Sequence, residues 1–241
     1  MRIAVLSDVH ANLRALEAVL AEIDAAGFDG IWCLGDLVGY GPKPNECAAL
    51  LQERTTICLA GNHDLVVLGK IPIDTFAGEA AAAARWTQTV LEESTRAFLG
   101  SLEPKAATSG AELFHGSPRD PVWDYVLSDE SAASALALTE APLVLVGHSH
   151  VALEISNGGE LRGEPAPAGT QLELGRLRRL LNPGSVGQPR DGDSRAAWLG
   201  IDFVAGRATF HRTDYPVERT QAEMREAGLP EALALRLAFG I

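Results

Sequence analysis

Asp8 and His10 follow the first apolar run of the chain, which ends at Leu6. If the extended conformation continues past that run, alternate side chains point the same way, so the carboxylate and the imidazole lie on one side. An oxygen donor and a nitrogen donor placed in this way can bind one divalent cation. A polar pair at a strand end is also common on ordinary protein surfaces, so the prediction depends on further ligands elsewhere.

Histidines supply those further ligands. The chain contains six histidines, and five of them come directly after predicted strands, beside glycine, aspartate or asparagine or within two residues of one. Histidines with structural roles would not usually gather in this way, so the set predicts a metal site. The candidate residues are His10, His63, His115, His148 and His150, together with Asp8, Asp36 and Asn62. His211 lies in a later strand and is expected to be structural.

The first quarter of the chain alternates between strands and helices. Apolar runs predict strands around Ile3–Leu6, Gly30–Leu34 and Thr56–Leu59, and helical spacing predicts helices over 13–26 and 44–52. Strand–helix–strand crossovers produce parallel sheets, which bind ligands beyond the carboxyl ends of their strands. The polar residues that follow the three strands are therefore expected at one edge of a sheet.

The rest of the chain changes in character. A helical pattern over 75–102 predicts a layer on the sheet or a cap, and strands at 111–115 and 142–146 flank a helix at 128–137. We expect one domain, 1–241, in which the segment 65–105 is at most a cap. Beyond residue 150 we predict antiparallel strands and two closing helices, namely strands at 151–155, 160–162, 171–174, 178–181, 196–202 and 207–212 and helices near 216–227 and 230–239.

Composition narrows the classes of function. The net charge of -12 argues against broad nucleic-acid binding through a basic surface. Three cysteines without CxxC spacing support neither a disulfide framework nor a zinc site made of four cysteines. The sequence shows no signal-like segment and no apolar run near the ~18 residues of a membrane helix, so we expect a cytoplasmic protein without membrane contact.

The polar motifs, taken in order, resemble those of the calcineurin-like metallophosphoesterase family. They are Asp8-Val-His10, Gly35-Asp36, Gly61-Asn-His-Asp64, His115 and Gly147-His-Ser-His150. The segment Asn182-Pro-Gly-Ser-Val-Gly-Gln-Pro-Arg190 further resembles the small prokaryotic branch of that family, so the resemblance covers most of the chain. It implies an α/β fold, a four-layer α/β/β/α sandwich of two mixed β-sheets flanked by helices.

The resemblance also implies a two-metal site. Asp8, His10 and His150 would bind one ion, Asn62, His115 and His148 the other, and Asp36 would bridge both. Such ligands suit Mn, Fe, Zn, Ni or Co, and Mn is the ion expected to support activity. Two ions ~3.5–4 Å apart can hold a bridging hydroxide and clamp a phosphoryl group for in-line attack. His63, left without a metal, would face the phosphate and protonate the leaving oxygen, with Asp64 as a candidate to orient it.

The candidate substrate-binding residues are Asn12, Tyr40, Arg119 and Arg190. The family's protein serine/threonine phosphatases carry Asp-Arg where this chain has Gly39 and Tyr40, which argues against a phosphoprotein phosphatase. Either arginine, Arg119 or Arg190, is equally compatible with a phosphate clamp and with a surface ion pair. Tyr40, Trp123 and Tyr125 could stack on a nucleobase, although core packing is the usual role of such residues.

The function expected from these features is hydrolysis of a small phosphodiester, a nucleotide or a dinucleoside polyphosphate by a dinuclear metal-dependent enzyme. The alternative from another class is a metal-binding regulatory or scaffold protein with little catalysis, but a scaffold has no need of an unliganded His63 beside the metals. A nuclease is a further alternative, which the acidic charge disfavours. The expected partner is a small phosphorylated substrate, and the sequence leaves the oligomeric state open.

Overall fold

The computed structural model, which describes residues 1–158 and 161–241, consists of two β-sheets packed face to face between layers of helices. The strands are β1 (Arg2–Leu6), β2 (Gly30–Cys33), β3 (Ile57–Cys58), β4 (Lys105–Ala107), β5 (Glu112–Phe114), β6 (Leu143–Leu145), β7 (Ala152–Asn157), β8 (Leu161–Pro165), β9 (Gln171–Glu173), β10 (Arg178–Pro183), β11 (Ala196–Asp202) and β12 (Arg207–Thr213). The helices are α1 (Leu13–Ala26), α2 (Pro44–Arg54), α3 (Asn62–Val67), α4 (Gly78–Val90), α5 (Glu93–Gly100), α6 (Asp129–Leu136), α7 (Val217–Glu226) and α8 (Glu231–Arg236).

Each sheet has six strands and is mixed. The first has the order β3-β2-β1-β11-β12-β9, and the second has the order β4-β5-β6-β10-β7-β8. The parallel half of the first sheet is the one predicted from the crossovers, since β1 pairs in parallel with β2 and β2 with β3. The second sheet also has a parallel centre, because β6 pairs in parallel with both β5 and β10. The predicted four-layer sandwich is therefore confirmed.

Alternation along the central strand β1 explains the layers. Ile3 and Val5 pack between the two sheets, whereas Ala4 and Leu6 pack on the opposite face beneath the helices. All four are at most 2% exposed, so β1 is covered on both faces and reads as a continuous apolar run. The strand thus holds its carboxyl end, where Asp8 follows, at the middle of the sheet edge.

Most predicted elements are present, with local differences. Asn12 accepts a hydrogen bond from the amide of Ala15 and so begins α1, and Gly27 ends that helix at φ 67°. Two elements were missed, α3, which begins at Asn62 where we expected only a strand end, and the short edge strand β4. The predicted strand 160–162 begins at Glu160, which lies outside the described residues, and β8 runs from Leu161 to Pro165.

The segment 75–102, where we expected a helical pattern, contains two helices separated by a short break. A 3-10 turn at Ile73–Thr75 precedes α4, and α5 follows after a break at Leu91. Ala83 of α4 packs against the closing helices α7 and α8. Within residues 1–158 and 161–241, no helix is both long enough and apolar enough to cross a membrane.

Candidate metal centre

The predicted ligands gather at one mouth of the sandwich, and they come from both sheets. Asp8, Asp36 and Asn62 follow β1, β2 and β3 of the first sheet. His115 follows β5, and His148 and His150 follow β6 of the second sheet. All six side chains are at most 3% exposed. The packing of one sheet on the other therefore assembles the site.

Left-handed backbone, not a continuing strand, orients most of these side chains. The structure corrects our expectation for Asp8 and His10, because β1 ends at Leu6 and the two residues have φ of 54° and 47°. Seven non-glycine residues of the described chain have positive φ, and all lie at this mouth, namely Asp8, His10, Ala11, Asp36, Tyr40, His148 and His150. Each costs about 1–2 kcal/mol relative to a right-handed conformation. Strain concentrated in this way is typical of functional sites.

Backbone hydrogen bonds between neighbouring loops hold this conformation. The amides of Asp8, His10 and Ala11 donate to the carbonyl oxygens of Gly35, Asp36 and Leu37 over 3.0, 2.9 and 2.9 Å. The two loops therefore run side by side beyond the sheet edge, and the side chains that they carry are fixed relative to one another.

One group of donors surrounds Asp8. Potential ligand atoms of Asp8, His10, Asp36 and His150 all lie within 4.8 Å of one another. His150 Nε2 is 3.3 Å from Asp8 Oδ1 and 3.0 Å from His10 Nε2. The Nε2 atoms of His10 and His150 and the carboxylate of Asp8 are therefore close enough to bind one cation.

A second group shares Asp36 with the first. Ligand atoms of Asp36, His115 and His148 lie within 4.8 Å of one another. Asp36 Oδ2 is 3.6 Å from His10 Nε2 and 3.5 Å from His115 Nε2, so one oxygen faces both groups. Asn62 Oδ1 lies 3.1 Å from His115 Nε2 and adds an amide oxygen to the second group.

Three of the histidines have their tautomer set by the backbone. The Nδ1 atoms of His10, His115 and His150 lie 3.1, 2.9 and 2.6 Å from the carbonyl oxygens of Val38, Leu34 and Gln188. A carbonyl oxygen only accepts, so each Nδ1 carries the proton and each Nε2 presents a lone pair to the centre. This outer hydrogen bond is the usual support of a metal-binding histidine.

The unpaired polar atoms of the centre suit the binding of cations. Asp8 Oδ1, Asp36 Oδ2 and His148 Nε2 are buried and have no hydrogen-bond partner among the described residues. Burial, followed by the charges of Asp64 and Asp8, raises the pKa of the Asp36 carboxyl. Bound cations would compensate for the burial of these carboxylates and occupy their unpaired oxygens.

His63 lies beside the two groups without belonging to either. It is 4% exposed, and its ring packs between Tyr40 and Phe76 at centroid distances of 4.4 Å to each. His63 Nδ1 is buried without a partner in the described chain, and burial followed by the charge of His150 lowers the pKa of the ring. A Cβ at Gly39 would lie 2.9 Å from His63 Cγ and closer to Nδ1, so only glycine leaves room for this ring.

We expected the side chain of Asp64 to orient His63, but it accepts hydrogen bonds from backbone amides instead. Its carboxylate accepts the amide N–H groups of Leu37, Val38 and Gly61 over 2.9–3.3 Å. Its side chain is fully buried, and burial raises its pKa to about 6. Asp64 thus joins the loop after β2 to the start of α3, and its role is to shape the site rather than to orient the imidazole.

The four candidate substrate residues divide into two pairs. Tyr40 and Arg190 line a cavity of about 180 Å³ that also reaches Asp36, Asn62, His63, His148 and His150. Arg119 lies outside that lining and forms an ion pair with Asp124. Asn12 is 1% exposed, and its amide is occupied by Ala15, Thr220, Gly187 and Tyr215, so it caps a helix instead of facing a ligand.

The sequence did not indicate every residue of this cavity. Phe76, from the segment before α4, contacts the ring of His63, yet it lies in a stretch that showed only a helical pattern. Trp123 and Tyr125, considered for stacking, do line the cavity, and Tyr125 stacks on His148 at 4.1 Å. His211 has the expected structural place, since it stacks on Trp198 at 4.0 Å.

Known proteins are similar to this chain in sequence and in architecture. A family model for the calcineurin-like phosphoesterase superfamily domain matches residues 1–202. An uncharacterised protein of Methanocaldococcus jannaschii is 36% identical over 249 aligned positions, which cover 99% of this chain and 98% of the relative. A metallophosphoesterase from Sphaerobacter thermophilus is 43% identical with a TM-score of 0.92 over 100% of both chains. A hypothetical protein of Pyrococcus horikoshii OT3 shares the fold at 20% identity, with a TM-score of 0.80 over 100% of this chain and 98% of that one.

Proposed function

Because the chain belongs to the calcineurin-like phosphoesterase superfamily, we propose that it is a dinuclear metal-dependent phosphoesterase. Its substrate would be a small phosphodiester, a nucleotide or a dinucleoside polyphosphate. The observation that carries the proposal is the meeting of two donor groups at Asp36, with the unliganded His63 beside them. A protein that only binds metal has no use for a buried imidazole whose ring lines the cavity next to the ligands.

In this proposal Asp8, His10 and His150 hold one ion, Asn62, His115 and His148 hold the other, and Asp36 serves both. When bound, two such ions supply charge neutralisation at the phosphoryl group and an activated water at neutral pH. Nitrogen and carboxylate donors without thiolates suit Mn, Fe, Co, Ni or Zn, and we propose Mn as the ion that supports activity. The free thiols of Cys33, Cys47 and Cys58 suit the cytoplasm, which we propose as the location.

Arg190 and His63 supply the two contacts that the phosphate would need besides the metals. Arg190 is the one permanently charged cation among the described residues that line the cavity. Its Nε is buried without a partner in the described chain, while Nη2 donates to Gln188 Oε1 at 3.0 Å. Arg190 therefore has an unused donor with which to orient a phosphate oxygen. His63 would hold a proton for the leaving oxygen once the negative charge of the bound phosphate offsets the burial that lowers the pKa of its ring.

The decisive experiment replaces His63 by Ala and uses His211→Ala as the control, since His211 lies outside the cavity. Metal content should stay unchanged in both variants. Turnover of an ester with a basic alcohol leaving group should fall by about 10²–10⁴-fold in His63→Ala only, because a positioned proton donor contributes that much. The loss should shrink for bis(para-nitrophenyl) phosphate, whose leaving group hardly needs a proton.

Two outcomes would contradict the proposal. Loss of metal in His63→Ala would make His63 a ligand and undo the division of roles. Metal retained with unchanged rates on both esters would remove His63 from the reaction and favour a metal-binding scaffold protein.

A further inference from the structure

The cavity at the metal centre is small for the substrates considered above. Its volume is about 180 Å³. Sites for drug-sized ligands usually measure ~300–1,000 Å³. A phosphate group with a short substituent would take up most of the space, and a nucleoside would have to extend past the side chains that line the cavity.

Aromatic side chains set this size. We call Tyr40, Phe76, Trp123 and Tyr125 the aromatic rim, because all four line the cavity. Phe76 meets Trp123 edge to face at 6.1 Å, so the segment before α4 touches the loop after β5 across the site. Trp123 in turn lies 6.3 Å from the ring of His148. The contact between Phe76 and Trp123 therefore joins the His63 side of the cavity to the His148 side.

The rim is also poorly suited to hold a nucleobase between its rings. Tyr40 already packs on His10 at 4.6 Å and on His63 at 4.4 Å, with the guanidinium of Arg190 5.9 Å from its centroid. One face of Tyr125 is covered by His148 at an interplanar angle of 20°. The outer face of Tyr125 is exposed, so a base could stack there on one side only, and it could not lie between two rings of the rim without displacing protein contacts.

We infer that the site selects phosphoesters whose substituents are compact, and that Phe76 and Trp123 determine this specificity. The inference rests on the proposed phosphoesterase function and narrows its substrate to small phosphomonoesters and short-chain phosphodiesters. Nucleoside esters and dinucleoside polyphosphates are excluded by the Phe76–Trp123 contact. Phe76 packs on His63 and not on a proposed metal ligand, and a ratio of rates on two esters with the same leaving group cancels any change in His63.

The test compares methyl para-nitrophenyl phosphate with the thymidine para-nitrophenyl phosphate diester. Both release the same leaving group, so the ratio of their kcat/KM values reports the size of the other substituent. The Mn-loaded wild type should favour the methyl ester by at least about tenfold, and Phe76→Ala should bring the ratio within about threefold, as expected for discrimination by pocket shape. Phe239→Ala, a change at an exposed phenylalanine outside the cavity, should keep the wild-type ratio.

A binding measurement gives a second reading that does not depend on turnover. In calorimetric titrations, Phe76→Ala should gain affinity for adenosine monophosphate and keep its affinity for inorganic phosphate. Equal hydrolysis of both esters by the wild type, or an unchanged ratio in a folded Phe76→Ala variant, would overturn the size limit alone. Hydrolysis of neither diester, nor of the monoester para-nitrophenyl phosphate, by the metal-loaded wild type would instead refute the proposed function, and the size limit with it.

Discussion

Replacement of Gly39 by alanine should lower turnover by moving His63 while both metal groups stay intact. A Cβ at this position would lie 2.9 Å from His63 Cγ, whereas ordinary contact begins at 3.4 Å. The ring must therefore retreat by at least 0.5 Å at Cγ, and by more at Nδ1, which would be closer still. Since a misplacement of about 1 Å can cost ~10²-fold in rate, we expect kcat/KM to fall by ~10–10²-fold.

The control for this variant is Gly169→Ala. Gly39 and Gly169 have nearly the same left-handed φ, 88° and 85°, but a Cβ at Gly169 would meet nothing within 4 Å. Both replacements carry the backbone penalty of about 1–2 kcal/mol, so both should lower the urea midpoint. Only Gly39→Ala should also lower kcat/KM, and the difference between the two variants isolates the displacement of His63.

The assay combines metal analysis, urea denaturation and steady-state kinetics on an ester with a basic leaving group. In a His63→Ala background, adding Gly39→Ala should cost no further activity, because the group that it displaces has gone. Equal kcat/KM values for Gly39→Ala and Gly169→Ala would refute the reasoning. A full additional loss in the His63→Ala background would also refute it, since Gly39 would then act through another residue.

Three further results are expected. Asp36→Asn should lose more bound metal than Asp8→Asn in elemental analysis, because Asp36 faces both donor groups; equal losses would contradict the bridging role. Asp64→Ala should lower the free energy of unfolding by ~3 kcal/mol or more, since it leaves buried amides unpaired; a loss below ~1 kcal/mol would contradict this. Burial lowers the pKa of His211 in the folded protein, so the stability that depends on its neutral form is lost as the pH falls through the unfolded pKa of 6.5. Between pH 7.5 and 5.5 the urea midpoint should therefore fall less in His211→Gln than in the wild type. An equal fall would show that His211 does not contribute.

The sequence predicted elements that have a distinct apolar pattern. The parallel strands β1, β2 and β3 are short apolar runs between helical patterns, and such runs are distinctive. The helix α6 was placed to within a residue because Ser128 caps it and its apolar spacing is regular. That two sheets face each other followed from the family resemblance alone, because periodicity does not reveal which strands share a sheet.

Elements without such a pattern were missed. Helix α3 has only six residues, too few for a helical period to show, and it begins where a strand was expected to end. The strand β4 lies at a sheet edge and is partly exposed, so its residues carry no apolar alternation.

The candidate site was predicted by residue type better than by local geometry. The donors around Asp36 were proposed as ligands because five histidines gathered after predicted strands are unusual. The alternation argument for Asp8 and His10 was wrong, because left-handed φ values arise from contacts between loops distant in sequence. Asp64 was misjudged for a related reason, since its partners are backbone amides, which sequence motifs do not reveal.

The origin of the ligands in both sheets has a consequence for folding. A cation held by Asp8 and His150 joins chain positions far apart in sequence, one beyond each sheet, and so acts as a cross-link. An ion that binds only the folded state stabilises it by about 2.7 kcal/mol at a free concentration of 100 times its Kd. The same ions that are proposed for hydrolysis would therefore keep the two sheets together. Metal supply would then govern how long the protein survives unfolding and proteolysis, as well as how fast it turns over substrate.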